Sequence, residues 1–185
     1  TLIDSACPEL GSCLIGYVGG EIVDRGHMVR RVIPARPNCF IQIILDGSHW
    51  LYDLENRQRL EAPKAGLFGP LTHYRYDMEV EGALRTFSVR LQPAAAAWFF
   101  DVDPVSLVDG FQSISLPDGL LESLRTAESW EAMAAIADDW LKSVTAGQIC
   151  DDPVAREQPL QIGQVPRQRW LGNDPRLHPF ERIDH

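Results

Sequence analysis

The sequence predicts a mainly β chain, an antiparallel barrel or sandwich, followed by helices at its C-terminal side. Three observations predict it. Apolar and polar residues alternate with period 2: Tyr74, Tyr76, Met78 and Val80 against Arg75, Asp77, Glu79 and Glu81. Phe87, Val89 and Leu91 likewise alternate with Ser88 and Arg90. Turn signals recur between such stretches, at Gly19-Gly20-Glu21, Asp46-Gly47, Gly69-Pro70 and Glu81-Gly82-Ala83. After residue 92 the apolar spacing changes to that of helices.

Taken in order, residues 1–11 read as loop, with Pro8 and Gly11. Strands are predicted over 12–18 and 27–33, the second burying its Met28–Val32 side. Residues 39–45 form the firmest strand, because Ile41, Ile43 and Ile44 are β-branched. Asp46-Gly47 reads as a hairpin turn, after which His49–Leu54 pairs back. Glu55–Lys64 is polar and reads as a surface loop. Gly69-Pro70 turns the chain into the strand at Tyr74–Val80, and Glu81-Gly82-Ala83 reads as the connection to Thr86–Leu91.

Pro93 suits the first position of a helix, where its missing N–H costs nothing, so Ala94–Phe100 is a short helix and Pro104 restarts the chain. Pro117–Ala127 is a second helix. Ser129 caps a third, with Glu131 in its first turn to meet the helix dipole. Trp130, Met133, Ala134, Ala137, Trp140 and Leu141 form one broad apolar stripe on that helix. The stripe packs on the sheet, makes a dimer contact, or does both. The chain thus divides into a β unit (1–116), a helical segment (117–143) and a tail (144–185).

Composition narrows the function. The chain has 185 residues, 45% hydrophobic and 23% charged, an ordinary globular balance. Its net charge of −9, with lysine only at Lys64 and Lys142, argues against direct nucleic-acid binding, which needs clustered positive charge. No apolar run spans a bilayer. The start, TLIDSACPEL, lacks the basic and apolar regions of a signal peptide, so a cytoplasmic location is expected. Cys7, Cys13, Cys39 and Cys150 show no metal-binding spacing and are expected as buried or inert thiols.

Several weak motifs occur in a telling order. They are Pro34–Leu45, the turn Gly69-Pro70-Leu71-Thr72, Arg90-Leu91-Gln92-Pro93, Trp98-Phe99-Phe100, and then Val102, Pro104, Leu107 and Asp109. This series resembles the N-terminal sensor domain of AraC-type transcription regulators, over roughly residues 12–143. The resemblance implies a cupin-like barrel that binds a small-molecule effector, and a homodimer made through helices after the barrel. It places Trp130, Met133, Ala137, Trp140 and Leu141 as dimerisation candidates. It also implies DNA binding through helix-turn-helix units. In 144–185 only a faint echo of these occurs, at Pro159–Ile162 and Val165–Trp170, so the tail reads as a degenerate or truncated remnant with little order.

Catalysis is not expected. Cupin metal sites need histidines close together, whereas His27, His49, His73, His178 and His185 are scattered, and no nucleophile elbow, P-loop or dinucleotide fingerprint occurs. His49 and His73 fall at strand ends, where a solvated or hydrogen-bonded ring is expected. No metal and no cofactor are therefore expected, and a cupin-type enzyme ranks third. Between sensing and catalysis stands a second class, a stand-alone binding or interaction module without DNA binding.

A small barrel can hold one ligand among its inward side chains. Asn38 and Gln42 are polar in apolar strand context, Gln42 sharing a face with Phe40 and Ile44. Arg36 suits bidentate binding of a carboxylate or phosphate, or else a structural salt bridge. Trp50 and Tyr52 are pocket walls or core. Arg75 and Arg90 are ligand contacts if their faces turn inward, and solvated charges otherwise. The effector expected from this set is anionic.

Overall fold

Two long bent strands, rather than a series of hairpins, organise the sheet. The computed structural model describes residues 2–4, 7–24, 26–100 and 102–145. Eight strands form one antiparallel sheet: β1 (Leu2–Ile3), β2 (Leu14–Ile22), β3 (Val29–Ile33), β4 (Cys39–Asp53), β5 (Gln58–Glu61), β6 (Ala65–Phe68), β7 (Tyr76–Leu91) and β8 (Phe111–Ser113). Helices α1 (Ala95–Phe100), α2 (Leu120–Thr126) and α3 (Trp130–Thr145) follow β7. Among the described residues the hydrogen-bonded path runs β1-β2-β7-β4-β6-β8 and does not close on itself, while β3 adds to β7 and β5 to β4. The chain is therefore mainly antiparallel β with helices after it, and the sheet is open rather than a closed barrel.

Asp46-Gly47 and Glu81-Gly82-Ala83 are not hairpins. Each lies inside a continuous strand, and the two face one another: Asp46 pairs with Arg85 and Gly47 with Leu84. Register shifts at Ile44/Asp46 and Gly47/His49 bend the pair there. Gly47 and Gly82 take left-handed φ angles of 78° and 82°, which glycine tolerates and other residues resist. A Cβ on Gly47 would also lie 2.2 Å from the Ala83 carbonyl oxygen. Glycine at both points lets two paired strands bend together. Gly19-Gly20-Glu21 likewise stays within β2 instead of turning. Within Glu55–Lys64, expected as a surface loop, a turn leads into β5.

The bend creates two cores. The first half of β4 points Ile41, Ile43 and Leu45 toward the helices, together with Tyr17, Phe87, Val89 and Leu91. Its other face contributes Phe40 and Ile44 to a second core with Leu51, Phe68, Tyr76 and Val80. Burial of both faces explains why this strand reads as a nearly unbroken apolar run. β3 presents Val29 and Ile33 to that second core, while Met28 and Val32 are about half exposed. The predicted Met28–Val32 buried side is thus reversed, since β3 aligns Val29 with Val80 and Ile33 with Tyr76.

α3 closes the first core. The Ser129 hydroxyl accepts from the Ala132 N–H at 3.1 Å, the expected cap. Met133, Ala137 and Leu141 are fully buried and Trp140 nearly so. Trp130 lies where a Cβ on Gly19 would sit, 2.4 Å from its ring, and Arg85 stacks on its indole at 5.1 Å. Four of the five predicted dimer residues, Met133, Ala137, Trp140 and Leu141, are buried within the chain, and Trp130 packs partly buried against the same core, since burying an apolar stripe on the sheet removes it from water. The Tyr17 hydroxyl also donates to the buried Asp138 carboxylate, tying β2 to α3. Arg125 of α2 donates from Nε to the Leu45 carbonyl at 2.7 Å, beside the β4 register shift.

Cys7 and Cys39 are buried, as expected, but Cys13 is disulfide-bonded, contrary to the expectation of inert thiols throughout. The tail assigned to 144–185 falls outside the described residues from 146 onward.

The Gly69-Pro70-Leu71-Thr72 turn and Asp109 belong to one unit. Thr72 donates its backbone N–H (2.7 Å) and its hydroxyl (2.6 Å) to the two Asp109 carboxylate oxygens. The Asp109 N–H returns to the Pro70 carbonyl, and Gly69 N–H donates to the Gly110 carbonyl. A Cβ on Gly69 would meet the Leu107 carbonyl oxygen at 1.9 Å, so only glycine lets the two segments approach. Gly69→Ala is expected to lower the urea midpoint by a cost of ~1–3 kcal/mol, the usual range for overpacking; an unchanged midpoint would show that the two segments separate freely.

Candidate functional site

A cavity of about 420 Å³ lies inside the bend, between the two halves of the sheet. One wall carries Phe40 and Gln42 of β4 beside their partners on β7, Arg90 and Ser88. The other carries His49 and Leu51 of β4, Met78 of β7 and the segment Ile33–Arg36. The register shifts decide which β4 side chains face inward. Before the bend these are the even positions 40, 42 and 44; after it they are the odd positions 49 and 51. On β7 the inward residues stay even throughout, so His49 pairs with Val80 and Leu51 with Met78.

Five expected site residues, Arg36, Asn38, Phe40, Gln42 and Arg90, line this cavity. Arg36 is fixed through its backbone, which exchanges two hydrogen bonds of 2.9 Å with Leu71 of the Gly-Pro-x-Thr turn. Its guanidinium lies 3.8 Å above the Phe40 ring. Its buried Nε has no hydrogen-bond partner. Burial, then the positive charge of Arg90, pull its pKa down to about 10. Among the described residues neither Arg36 nor Arg90 has a carboxylate partner, whereas Arg30, Arg59 and Arg75 all do.

The remaining three candidates lie elsewhere. Trp50 and Tyr52 occupy the outward face of β4, because the bend switches its inward parity. Arg59 covers Trp50 at 4.6 Å and Arg30 covers Tyr52 at 4.8 Å. Those arginines also pair with Glu79 (3.1 Å) and Asp77 (2.8 Å), which are buried beneath them. Arg75 is neither solvated nor a cavity group. It pairs with Asp53 at 2.9 Å and Glu55 at 3.4 Å, stacks on Tyr76, and donates to the Asp109 carbonyl. Burial pushes the Asp53 carboxyl up, but hydrogen bonds from Arg75, from Asn56 and from the Asn56 and Glu55 backbone outweigh it and hold the carboxyl at about 2.

Sequence reasoning misses His49, which reads as a solvated or hydrogen-bonded strand-end residue. It is 1% exposed, and its Nδ1 has no hydrogen-bond partner. Burial, then Lys64, lower its pKa to about 4. The available signal is parity: once β4 is read as one strand with a register shift, His49 falls on the inward face. Gln42 and Ser88 face each other as a register pair on the cavity wall. The cavity therefore offers two guanidinium groups without an acid among the described residues, one neutral imidazole, three neutral polar side chains (Asn38, Gln42 and Ser88) and apolar walls. Among the described residues no group of His, Cys, Asp and Glu is arranged to hold a metal ion, and no helix is long and apolar enough to cross a membrane.

No protein-family model matches the chain, and no curated protein matches it in sequence. Among solved structures, ToxT from Vibrio cholerae is similar with a TM-score of 0.41 at 7% identity, over 70% of this chain and 55% of that one. Its apo variant gives 0.47 at 11%, over 71% and 53%. YhaK from Escherichia coli gives 0.35 at 17%, over 43% and 36%. One ToxT structure holds an unsaturated fatty acid. The chain spans about half the length of the ToxT structures. At this strength the likenesses say nothing of this chain's ligand.

The buried histidine makes a prediction for acid stability. In the unfolded chain His49 takes up its proton near 6.5, and in the fold only near about 4. Between those values the unfolded state binds more protons. The stabilisation is therefore whole above 6.5 and drains away as pH falls toward 4, by roughly 3 kcal/mol in all. Urea midpoints measured from pH 7 to 4.5 should fall for the parent and fall less for His49→Gln. Equal slopes for the two would mean that His49 is not held neutral.

Proposed function

We propose that this chain is the effector-sensing portion of an AraC-type transcription regulator, and that a small anionic ligand occupies the cavity in the bend. One observation carries the ligand reading: Arg36 and Arg90 converge on a cavity with no carboxylate among the described residues to answer them. Two like charges held close in a half-buried place repel, and an anion between them removes both the repulsion and the unpaired Nε. A pocket near 420 Å³ suits a small metabolite.

The regulator reading is supported by the ordered motifs and by what two of them do. The Gly-Pro-x-Thr turn holds Arg36 through Leu71 and holds Asp109 through Thr72. Ligand contact at Arg36 would thus bear on the segment leading to the helices. Such coupling works only as far as the ligand prefers one arrangement over another. In this reading the protein acts by binding, not catalysis, in the cytoplasm, as a homodimer. DNA recognition belongs to helix-turn-helix units, whose echo falls outside the described residues.

A second reading, a stand-alone small-molecule-binding module, is favoured by one observation. Met133, Ala137, Trp140 and Leu141 of the α3 stripe assigned to dimerisation are buried in the chain's own core, which leaves Trp130 alone of the five partly open to a partner.

Thermal-shift screening against organic acids, sugars and nucleotides tests the ligand reading. A ligand at 100 times its Kd should add about 2.7 kcal/mol. The expected result is a saturable rise with an organic acid that is lost in Arg36→Ala and kept in Arg31→Ala, whose side chain is exposed outside the cavity. A response of Arg36→Ala equal to the parent's would overturn the assignment.

A further inference from the structure

We propose that the cavity selects a hydroxy-substituted organic monoacid, its carboxylate between Arg36 and Arg90 and its hydroxyl on His49 Nδ1. This inference rests on the sensor reading of the same cavity and adds the ligand's chemistry.

Two residues that line the cavity each carry a buried polar atom with nothing to bond, Arg36 Nε and His49 Nδ1. Buried polar atoms are nearly always satisfied, and leaving one bare costs its full desolvation penalty. One ligand that meets both atoms recovers both penalties. The two atoms ask for different things. Arg36 and Arg90 ask for an anion that accepts two or more N–H donors, which a planar carboxylate does well.

His49 asks for something else. Its ring is 1% exposed, and Leu51 and Met78 line the same wall of the cavity. A second carboxylate placed there would be desolvated against a neutral ring, at a large cost. A cationic group would meet the field of two arginines and of Lys64. A neutral group is left. A neutral imidazole nitrogen donates in one tautomer and accepts in the other. A hydroxyl can do either, so it satisfies Nδ1 whichever tautomer the ring adopts. The stacked Phe40 and Phe68 rings, 4.6 Å apart, and Leu51 supply the apolar walls for the body between the two polar ends.

The test uses matched pairs of acids that differ by one hydroxyl: hydroxybenzoates against benzoate, and ω-hydroxyalkanoates against alkanoates of equal length. Calorimetric titration of the parent chain should show at least one hydroxy acid binding about tenfold tighter than its partner, the scale of one hydrogen bond to a buried group. In His49→Leu that preference should vanish while the deoxy acid still binds. On the parent itself, the His49 15Nδ1 resonance should move with the hydroxy acid and stay put with the deoxy acid. That readout needs no variant to fold. If all pairs bind equally and Arg36→Ala abolishes both members, this inference is wrong and the sensor reading stands. If no acid of either kind binds, both fall.

Discussion

The pairing of β4 with β7 through a shared bend is the constraint on which the rest depends. Cys39 pairs with Leu91 at one end and Asp53 with Tyr76 at the other. Between them, the register shifts of β4 lie opposite the left-handed Gly82 of β7. Because both strands continue past the bend, one sheet supplies two walls. The outer side of the first half takes the helices, and the inner sides of both halves face each other across the second core. The cavity is the part of that core where side chains stop filling the space. A straight pair would leave Phe40, Gln42, Ser88 and Arg90 on an open face, and His49 nowhere near them.

Arginine is used in three ways here, and the contrast marks the site. Arg30 and Arg59 lie flat over aromatic rings and pair with acids, covering polar atoms of the outer face. Arg75 is locked by Asp53 and by a main-chain carbonyl and holds the turn region together. Arg36 and Arg90 have no acid among the described residues, and Arg36 is also partly withdrawn from water. Ion pairs at the surface contribute little to stability, so the first two uses explain themselves as covering and bracing. An unpaired guanidinium inside a cavity costs stability, and a cost of that kind is commonly found at binding sites.

Much of this is legible in the sequence, and what is not has a physical reason. Alternation at Tyr76–Val80 and Phe87–Leu91, the Ser129 cap and the α3 stripe indicate the class, the helices and their core face. Glycine misleads at Gly47 and Gly82. A left-handed glycine serves a hairpin turn and a bulge equally well, and local sequence does not say which strand lies opposite. That one ambiguity propagates. With β4 broken in two, Trp50 and Tyr52 take the inward face that belongs to His49 and Leu51. Arg36 to Gln42 reach the cavity their pattern suggests because no register shift intervenes. Arg75 misleads for a different reason: its partners Asp53 and Asp109 are distant in sequence. The stripe on α3 is visible, but amphipathicity alone does not distinguish a fold's own sheet from a second copy.

The central claim is that Arg36, beside Arg90, waits without an acid for an anion, while Arg30, Arg59 and Arg75 are already paired. The direct measurement is the guanidinium NMR spectrum of the 15N-arginine-labelled chain during titration with benzoate. The account predicts a saturable shift of the Arg36 Nε–H resonance, with Arg75 Nε–H, held by Asp53, unmoved. Movement of Arg75 with no change at Arg36 would contradict it, because the cavity would then hold no anion where the two bare guanidinium groups meet.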